Sequence, residues 1–244
     1  MAIKGPRKHL KRLAAPANWQ LPRKVKTFTV RPSPGPHSMD KSLPLLLVVR
    51  DVLKYADNAR EAKKIIQTGK ILIDGLKRKE YKHPAGLMDV LSIPEMDETY
   101  LVLFDESGRI SLKKTDKTDV KLCKIVNKTV VKGGNIQLNL HDGRNQIVKV
   151  SDAAKAEEDV YKTGDSVLIS IPEQSIAGHV AFGEGKLAYI TGGKHVGEFA
   201  KIVEVENRAL YSDIVTLENK DGEKFKTVKP YVFIVGQDEP VISM

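Results

Sequence analysis

Short runs of alternating apolar and polar residues, each closed by a turn dipeptide, set the limits on what this chain can fold into. Ile71 and Ile73 alternate with Lys70 and Leu72 and run straight into Asp74-Gly75. A two-residue repeat buries one face of a strand, and Asp-Gly supplies the positive φ angles of a two-residue hairpin loop. The pattern recurs after Pro94. "TYLVLFDESGRISLKKT" and "LCKIVNKTVVKGGNIQLNLHDGRNQIVKV" read as hairpins around Ser107-Gly108, Gly133-Gly134 and Asp142-Gly143, and "TGDSVLISIPE" as a further strand. "HVAF", "KLAYITGG", "EFAKIVEVEN", "DIVTLENKDGEKFKTV" and "YVFIVG" repeat the theme to the end of the chain. Strands this short and this regularly spaced favour small antiparallel barrels over a parallel sheet.

Helical spacing is confined to one region, apart from a loose interval at "SDAAKAEEDVYK". "SLPLLLVVRDVLKYA" places Leu45, Leu46, Val49, Val52, Leu53 and Ala56 on one face, with Ser42 as the expected cap. Asn58 opens a second helix with Glu61 three residues on as a capping box. Ala62, Ile65 and Ile66 form its inner stripe, and Gly69 ends it. "RPSPGPHSMDK" precedes both helices and marks a boundary, because proline forbids helix and ladder bonding.

Charge is distributed unevenly. The formal net charge is +9, yet residues 1–42 hold ten Lys or Arg against a single acid, Asp40, while residues 43–244 hold thirty of each. So basic an arm should lie extended and order on a polyanion, with nucleic acid the obvious candidate. Lys4, Arg7, Lys8, His9, Lys11, Arg12, Arg23, Lys24, Lys26 and Arg31 are its expected phosphate contacts, and Trp19 is available to stack on a base or ribose. A second basic surface follows from the helical pattern. Arg60, Lys63 and Lys64 point away from the apolar stripe, and the hairpin adds Lys70, Lys77, Arg78, Lys79 and Lys82. Residues 94–175 balance twelve bases against fourteen acids, so this middle region is expected to face solvent or protein more than RNA.

Several functions are disfavoured. The longest apolar run, residues 43–49, is far short of the roughly 20 residues that cross a bilayer, and "MAIKGPRKHLKR" has no apolar leader core, so no membrane partner is expected. Cys123 is a lone cysteine, expected in the core. The six histidines show no ligand spacing, so no metal is expected. "TGGKHVG" lacks a P-loop's first glycine, where Ala188 stands, and its Ser or Thr, where His195 stands. The adjacent Glu157, Glu158 and Asp159 read as a solvated face. No nucleophile or small-molecule substrate is suggested.

"EAKKIIQTGKILIDG" resembles the core of the alpha-L RNA-binding module found in the bacterial small-subunit ribosomal protein four, pseudouridine synthases and tyrosyl-tRNA synthetases. Glu61, Ala62, Ile65, Ile66, Gly69, Ile71, Ile73, Asp74 and Gly75 match it in order. Asn58-Ala59 stand where the module often has Ser-Arg, and Met88-Asp89 where it has Gly-Asp. "GKLAYITGGKHVGEFAKIVEVEN" is similar to a KOW motif on an SH3-like barrel. Ile190, Gly192, Gly197, Ile202 and Val203 fall on its strands, loop glycine and hinge glycine, and Lys194 and His195 are tip contacts. Val196 stands where a Lys usually precedes the hinge, and Ala200 replaces a later glycine.

In this order, with "KGPRKHLKRLAAP", "RPSPGPHS", "KEYKHPAGLMDVLSIP" and "IQLNLHDGRN", the chain resembles over essentially its full length the archaeal and eukaryotic small-subunit ribosomal protein S-four-e family, its length leaning archaeal. The resemblance implies a multidomain α+β and β protein. Its parts are a basic extended N-terminal arm (1–42), an alpha-L RNA-binding domain (43–93), a central β-barrel-like domain (94–175) and a C-terminal KOW SH3-like barrel (176–244). It further implies a structural, non-enzymatic constituent of the cytoplasmic ribosome that uses no cofactor. The implied partners are small-subunit rRNA and neighbouring small-subunit ribosomal proteins. Two other classes stay open: a transiently bound translation or assembly factor, and the targeting portion of an RNA-modifying enzyme.

Overall fold

A computed structural model describes residues 9–116, 119–150, 159–208 and 211–242. Lys4, Arg7, Lys8, the interval 151–158 and its acids Glu157 and Glu158 lie outside the described residues. The fold is mostly β, with few helices and several antiparallel sheets. It divides into two compact units, residues 1–103 with 109–114, and residues 104–108 with 115–244.

In the first unit, β1 (Leu10–Lys11) pairs with β2 (Phe28–Thr29), and β3 (Ser42–Pro44) pairs with a later strand at Pro84–Gly86. The helical stretch then starts at Leu45, in a short α1 (Leu45–Leu47) continued by a widened π-type turn over Val48–Val52. Ser42 is therefore not a helix cap, contrary to the sequence expectation. Proline restricts the residue before it to extended backbone, so Leu43 stays in the strand and the helix begins after Pro44. The carbonyls of His83 and Tyr81 accept the open amides of Leu45 and Leu46 at 2.9 and 3.0 Å, which fills the place of a side-chain cap.

The second helix, α2 (Ala59–Gln67), is built as its sequence requires. Asn58 Oδ1 accepts from the amides of Arg60 and Glu61 at 2.9 and 3.0 Å. Glu61 turns back to the Asp57 amide at 3.2 Å, one residue beyond the usual capping-box donor. Ala62 and Ile66 are buried, and Gly69 leaves the helix at φ +75°. A five-stranded sheet follows from β4 (Leu72–Ile73), β5 (Leu76–Lys77), β7 (Val90–Ile93), β8 (Glu98–Phe104) and β9 (Ile110–Lys114), in the order β5-β4-β7-β8-β9, with β6 (Pro84–Gly86) on β3.

Pairing of β7 with β8 crosses the expected boundary at 93/94. The segment after β7 is a tight 3-10 turn, Pro94–Met96, closed by Asp97 at φ +49°, and it reverses the chain instead of linking domains. The arm does not stand apart either. Trp19 is 2% exposed, and Asn18 accepts the Ile110 amide at 3.0 Å through its carbonyl, so residues 10–42 belong to the first unit's fold. Its core takes Leu45, Leu46, Leu47, Val49, Ile66, Ile71, Leu91 and Leu101. Burying each such side chain contributes about 1.5–3 kcal/mol, enough to hold a unit with so little regular helix.

The second unit holds two five-stranded antiparallel sheets. The first comprises β10 (Val120–Val130), β11 (Ile136–Leu140), β12 (Asn145–Val148), β13 (Ser166–Ser170) and β14 (Ile176–Val180), ordered β12-β11-β10-β13-β14. Because β14 pairs with β13, the expected 175/176 boundary cuts through a sheet. Cys123 lies in its core, with Ile125, Leu138, Val167 and Ile169. The other comprises β15 (Leu187–Ile190), β16 (Phe199–Glu206), β17 (Ile214–Asn219), β18 (Lys224–Val228) and β19 (Val232–Gly236), ordered β18-β17-β16-β15-β19 around Ile190, Ile202, Leu217 and Ile234. Lys124 joins the two sheets, its Nζ donating to the carbonyls of Lys229, Pro230 and Val232 at 3.2, 3.1 and 2.6 Å.

Candidate nucleic-acid interface

The hairpin after α2 gathers the cations. Ile73 pairs with Leu76 across Asp74 and Gly75, whose φ angles of +50° and +73° make the tight two-residue turn the sequence calls for. Asp74 also pins the turn to the sheet, since its Oδ1 accepts the Val90 amide at 3.0 Å and its own amide donates to the Val90 carbonyl at 2.8 Å. With Ile71 and Ile73 anchored below, Lys77 and Lys79 are left exposed above. A side chain at Gly69 would lie 3.5 Å from Lys79 Cε and 3.9 Å from Lys77 Cδ, which places both lysines over the C-terminal end of α2. The helix dipole is negative there, so it favours their charge.

Tyr81 extends this surface, a residue the sequence reading passed over. Lys63 Nζ sits 4.4 Å from its ring centroid and Lys82 Nζ 5.5 Å, so one ring gathers cations from the helix and the loop. The signal was an aromatic residue set between bases in "KEYKH". Arg60 and Lys64 are exposed on α2. Lys70 is paired with Glu95 at 2.7 Å, which removes part of its attraction for a phosphate. Arg78 is half-buried, and its Nε makes no hydrogen bond. Burial, and then the Arg78 charge, push the pKa of neighbouring His83 down, so this histidine adds no charge at neutral pH.

Along the arm, Lys11, Arg23, Lys24 and Lys26 are exposed, as is His9 beside the Phe28 ring at 5.6 Å, while Arg31 is half-buried. Two expected contacts are corrected. Trp19 is enclosed and its Nε1 donates to the Ser42 carbonyl at 2.8 Å, so its ring is not open for stacking. An indole in a tail with few other large apolar groups gains more by burial in the nearby core than by exposure. Arg12 donates from Nε to the Pro22 carbonyl at 3.2 Å and from its terminal nitrogen to Leu21, which closes the 12–22 loop.

In the second unit Lys194 is exposed, whereas His195 stacks on Phe225 at 4.1 Å with Nδ1 3.2 Å from Glu198, and so packs the loop instead of forming its tip. Gly192 lies against the Tyr231 ring, where a Cβ would come within 3.0 Å. Gly197 has φ +86° and would place a Cβ 2.5 Å from the Asp105 carbonyl, so both conformation and space require glycine.

One cluster in the second unit has metal-ligand chemistry. Cys123, His141 and Asp142 bring donor atoms within 4.8 Å of one another. Asp142 and His141 have lone pairs committed elsewhere, and the Cys123 thiol donates to Asp142 Oδ2 at 3.6 Å. Asp142 Oδ2 takes Lys121 Nζ at 3.0 Å and Arg144 Nε at 3.3 Å, and His141 Nδ1 accepts the Lys124 amide at 3.2 Å. Two cations on the one carboxylate oppose a third, so the cluster is a buried ion pair.

Comparison with known proteins agrees with this architecture. The model described as Ribosomal family S4e matches residues 96–176, and that of the RS4NT (NUC023) domain matches residues 4–40. Over the full length of both chains, the sequence is 96% identical to the small ribosomal subunit protein eS4 of Methanococcus maripaludis strain C7 and 71% identical to that of Methanocaldococcus jannaschii. The eS4 protein of Methanothermobacter thermautotrophicus is 49% identical across all of this chain and 98% of its own. The crystal structure of the 30S ribosomal protein S4e from Thermoplasma acidophilum matches with a TM-score of 0.68 at 34% identity, covering 81% of this chain and 96% of that one. With relatives this similar along its whole length, the chain belongs to the archaeal members of the small ribosomal subunit protein eS4 family.

Proposed function

We propose that this chain is a structural, non-enzymatic constituent of the small ribosomal subunit that binds small-subunit (16S-type) rRNA through phosphate contacts, in the cytoplasm and beside other small-subunit proteins. The observation that carries this reading is the surface of Lys63, Lys64, Lys77, Lys79 and Lys82, set on a helix and hairpin by a buried apolar stripe. Cations fixed on rigid elements neutralise phosphates with little entropy cost and read backbone and shape more than sequence. The exposed Arg23, Lys24 and Lys26 add a second run of contacts from the arm.

Two finer readings of the fold support this. The helix-hairpin part of the first unit is an alpha-L module. Met88, where that module has glycine, takes φ +64°, and the Asp89 that follows accepts the Gly86 amide at 2.8 Å. The sheet β15–β19 is a KOW barrel of SH3 type, with Gly197 as its hinge. Sedimentation tests the role directly: a structural constituent stays with small subunits at one copy each after a high-salt wash, whereas a transient factor is removed or substoichiometric.

A further inference from the structure

The proline segment that precedes the first helix is held in place by contacts with residues 82–89. His37 Nε2 lies 2.9 Å from Asp89 Oδ1, and both side chains are at most 3% exposed. The other Asp89 oxygen takes the Gly86 amide, and a Cβ at Gly86 would stand 2.2 Å from the imidazole, so that ring lies flat on bare backbone. Gly35 is pressed on Pro84 in the same way, its Cβ position 2.8 Å from the ring. Ser33 donates from both its amide and its hydroxyl to the Lys82 carbonyl, at 2.9 and 3.2 Å.

These contacts border a cavity of about 690 Å³ that is open to solvent. That is within the roughly 300–1,000 Å³ of ligand sites. Its wall combines Pro34, Pro36 and Met39 with Ser38 and the two cations Arg31 and Lys82, and contains no carboxylate. Apolar groups next to cations, in a concave site, match a base carrying its own phosphate. Single-stranded RNA presents such a unit when a nucleotide leaves the stack, whereas a duplex shows only its grooves and backbone.

We propose that this cavity receives one unstacked nucleotide of the bound RNA, its base against the proline and methionine wall and its phosphate toward Arg31 and Lys82. The inference rests on the rRNA-binding reading above and adds a site that recognises a single-stranded position within it. Lys82 lines the cavity and its Nζ lies 5.5 Å from the Tyr81 ring, so the nucleotide would adjoin the helix-hairpin contacts.

Photo-crosslinking with a small-subunit rRNA transcript carrying 4-thiouridine tests it. The full chain should crosslink through residues 31–39 as well as through the 77–82 hairpin. Ser38 contributes its carbonyl, not its side chain, to the Ser42 bond, so Ser38→Trp fills the cavity without removing that contact. It should cut the 31–39 crosslink at least tenfold and leave the hairpin crosslink in place, while Ser38→Ala keeps both. Hairpin crosslinks with none at 31–39, or a 31–39 crosslink undiminished in Ser38→Trp, would overturn the cavity assignment and leave the rRNA reading intact. Absence of crosslinks from the whole chain would overturn both.

Discussion

The Tyr189 hydroxyl donates to the Phe104 carbonyl at 2.7 Å and accepts the Phe104 amide at 2.9 Å, so one buried phenol closes both backbone bonds of a residue 85 positions earlier. Burial pushes the phenol's pKa up, and it stays protonated and able to donate. Tyr189→Phe keeps the ring and strands both groups. Each buried group left unmet costs about 1–3 kcal/mol, so the denaturant midpoint should fall clearly with an unchanged slope. A midpoint equal to the parent's would show that water replaces the hydroxyl.

The Lys121–Asp142 pair is buried on both sides, at 1% and 0% side-chain exposure. Burial pushes the Asp142 carboxyl up, but Lys121, His141 and Arg144 outweigh it and hold the pKa below its ordinary 3.8. A carboxyl lowered in the folded state stabilises above its unfolded pKa, and that contribution is lost as pH falls through the folded value. Asp142→Asn should cost about 3–5 kcal/mol at neutral pH, because it removes a buried charged partner from Lys121. Lys121→Met with Asp142→Leu should regain most of this and show a shallower stability loss below about pH 4. Unfolding curves between pH 7 and pH 3 decide the matter.

Gly197 and Gly185 separate two reasons for glycine. Both have positive φ, +86° and +74°, but a Cβ at Gly185 meets nothing within 4 Å while one at Gly197 meets the Asp105 carbonyl at 2.5 Å. Gly185→Ala should cost only the left-handed backbone penalty of about 1–2 kcal/mol. Gly197→Ala should cost distinctly more, with shifted amide resonances at Asp105 and Glu106. Equal losses would remove the close approach as an explanation.

Trp19 is the only tryptophan, so its fluorescence reports the arm directly. Its burial predicts blue-shifted emission and weak acrylamide quenching in the RNA-free protein, both lost on denaturation. Emission like that of the denatured chain would mean that the arm folds only on RNA.

Sequence pattern carried the local features and failed at the long-range ones. The Asn58 cap, the Asp74-Gly75 turn and the hairpins at Ser107-Gly108, Gly133-Gly134 and Asp142-Gly143 are set by residues within a few positions of one another, so their chemistry is visible in a short window. The pairing of β7 with β8 looked like a domain boundary because Pro94 interrupts the pattern, yet proline also starts tight turns. Arg12 and Trp19 were read as RNA contacts because composition shows charge and aromaticity but not the Pro22 and Ser42 carbonyls that take them up. Lys121 looks like a surface charge in an alternating strand and Asp142 like an ordinary turn residue, and only their juxtaposition in the fold shows a buried pair.

The salt dependence of rRNA binding tests the central claim most directly. Exposed Lys64, Lys77 and Lys79 can be changed together to Gln without disturbing the apolar stripe beneath them. Each phosphate contact contributes about 0.7–0.9 to the slope of log Kobs against log salt, so the triple variant should bind more weakly and lose about 2 units of slope. A variant with the parent's affinity and slope would contradict the assignment of this surface to RNA.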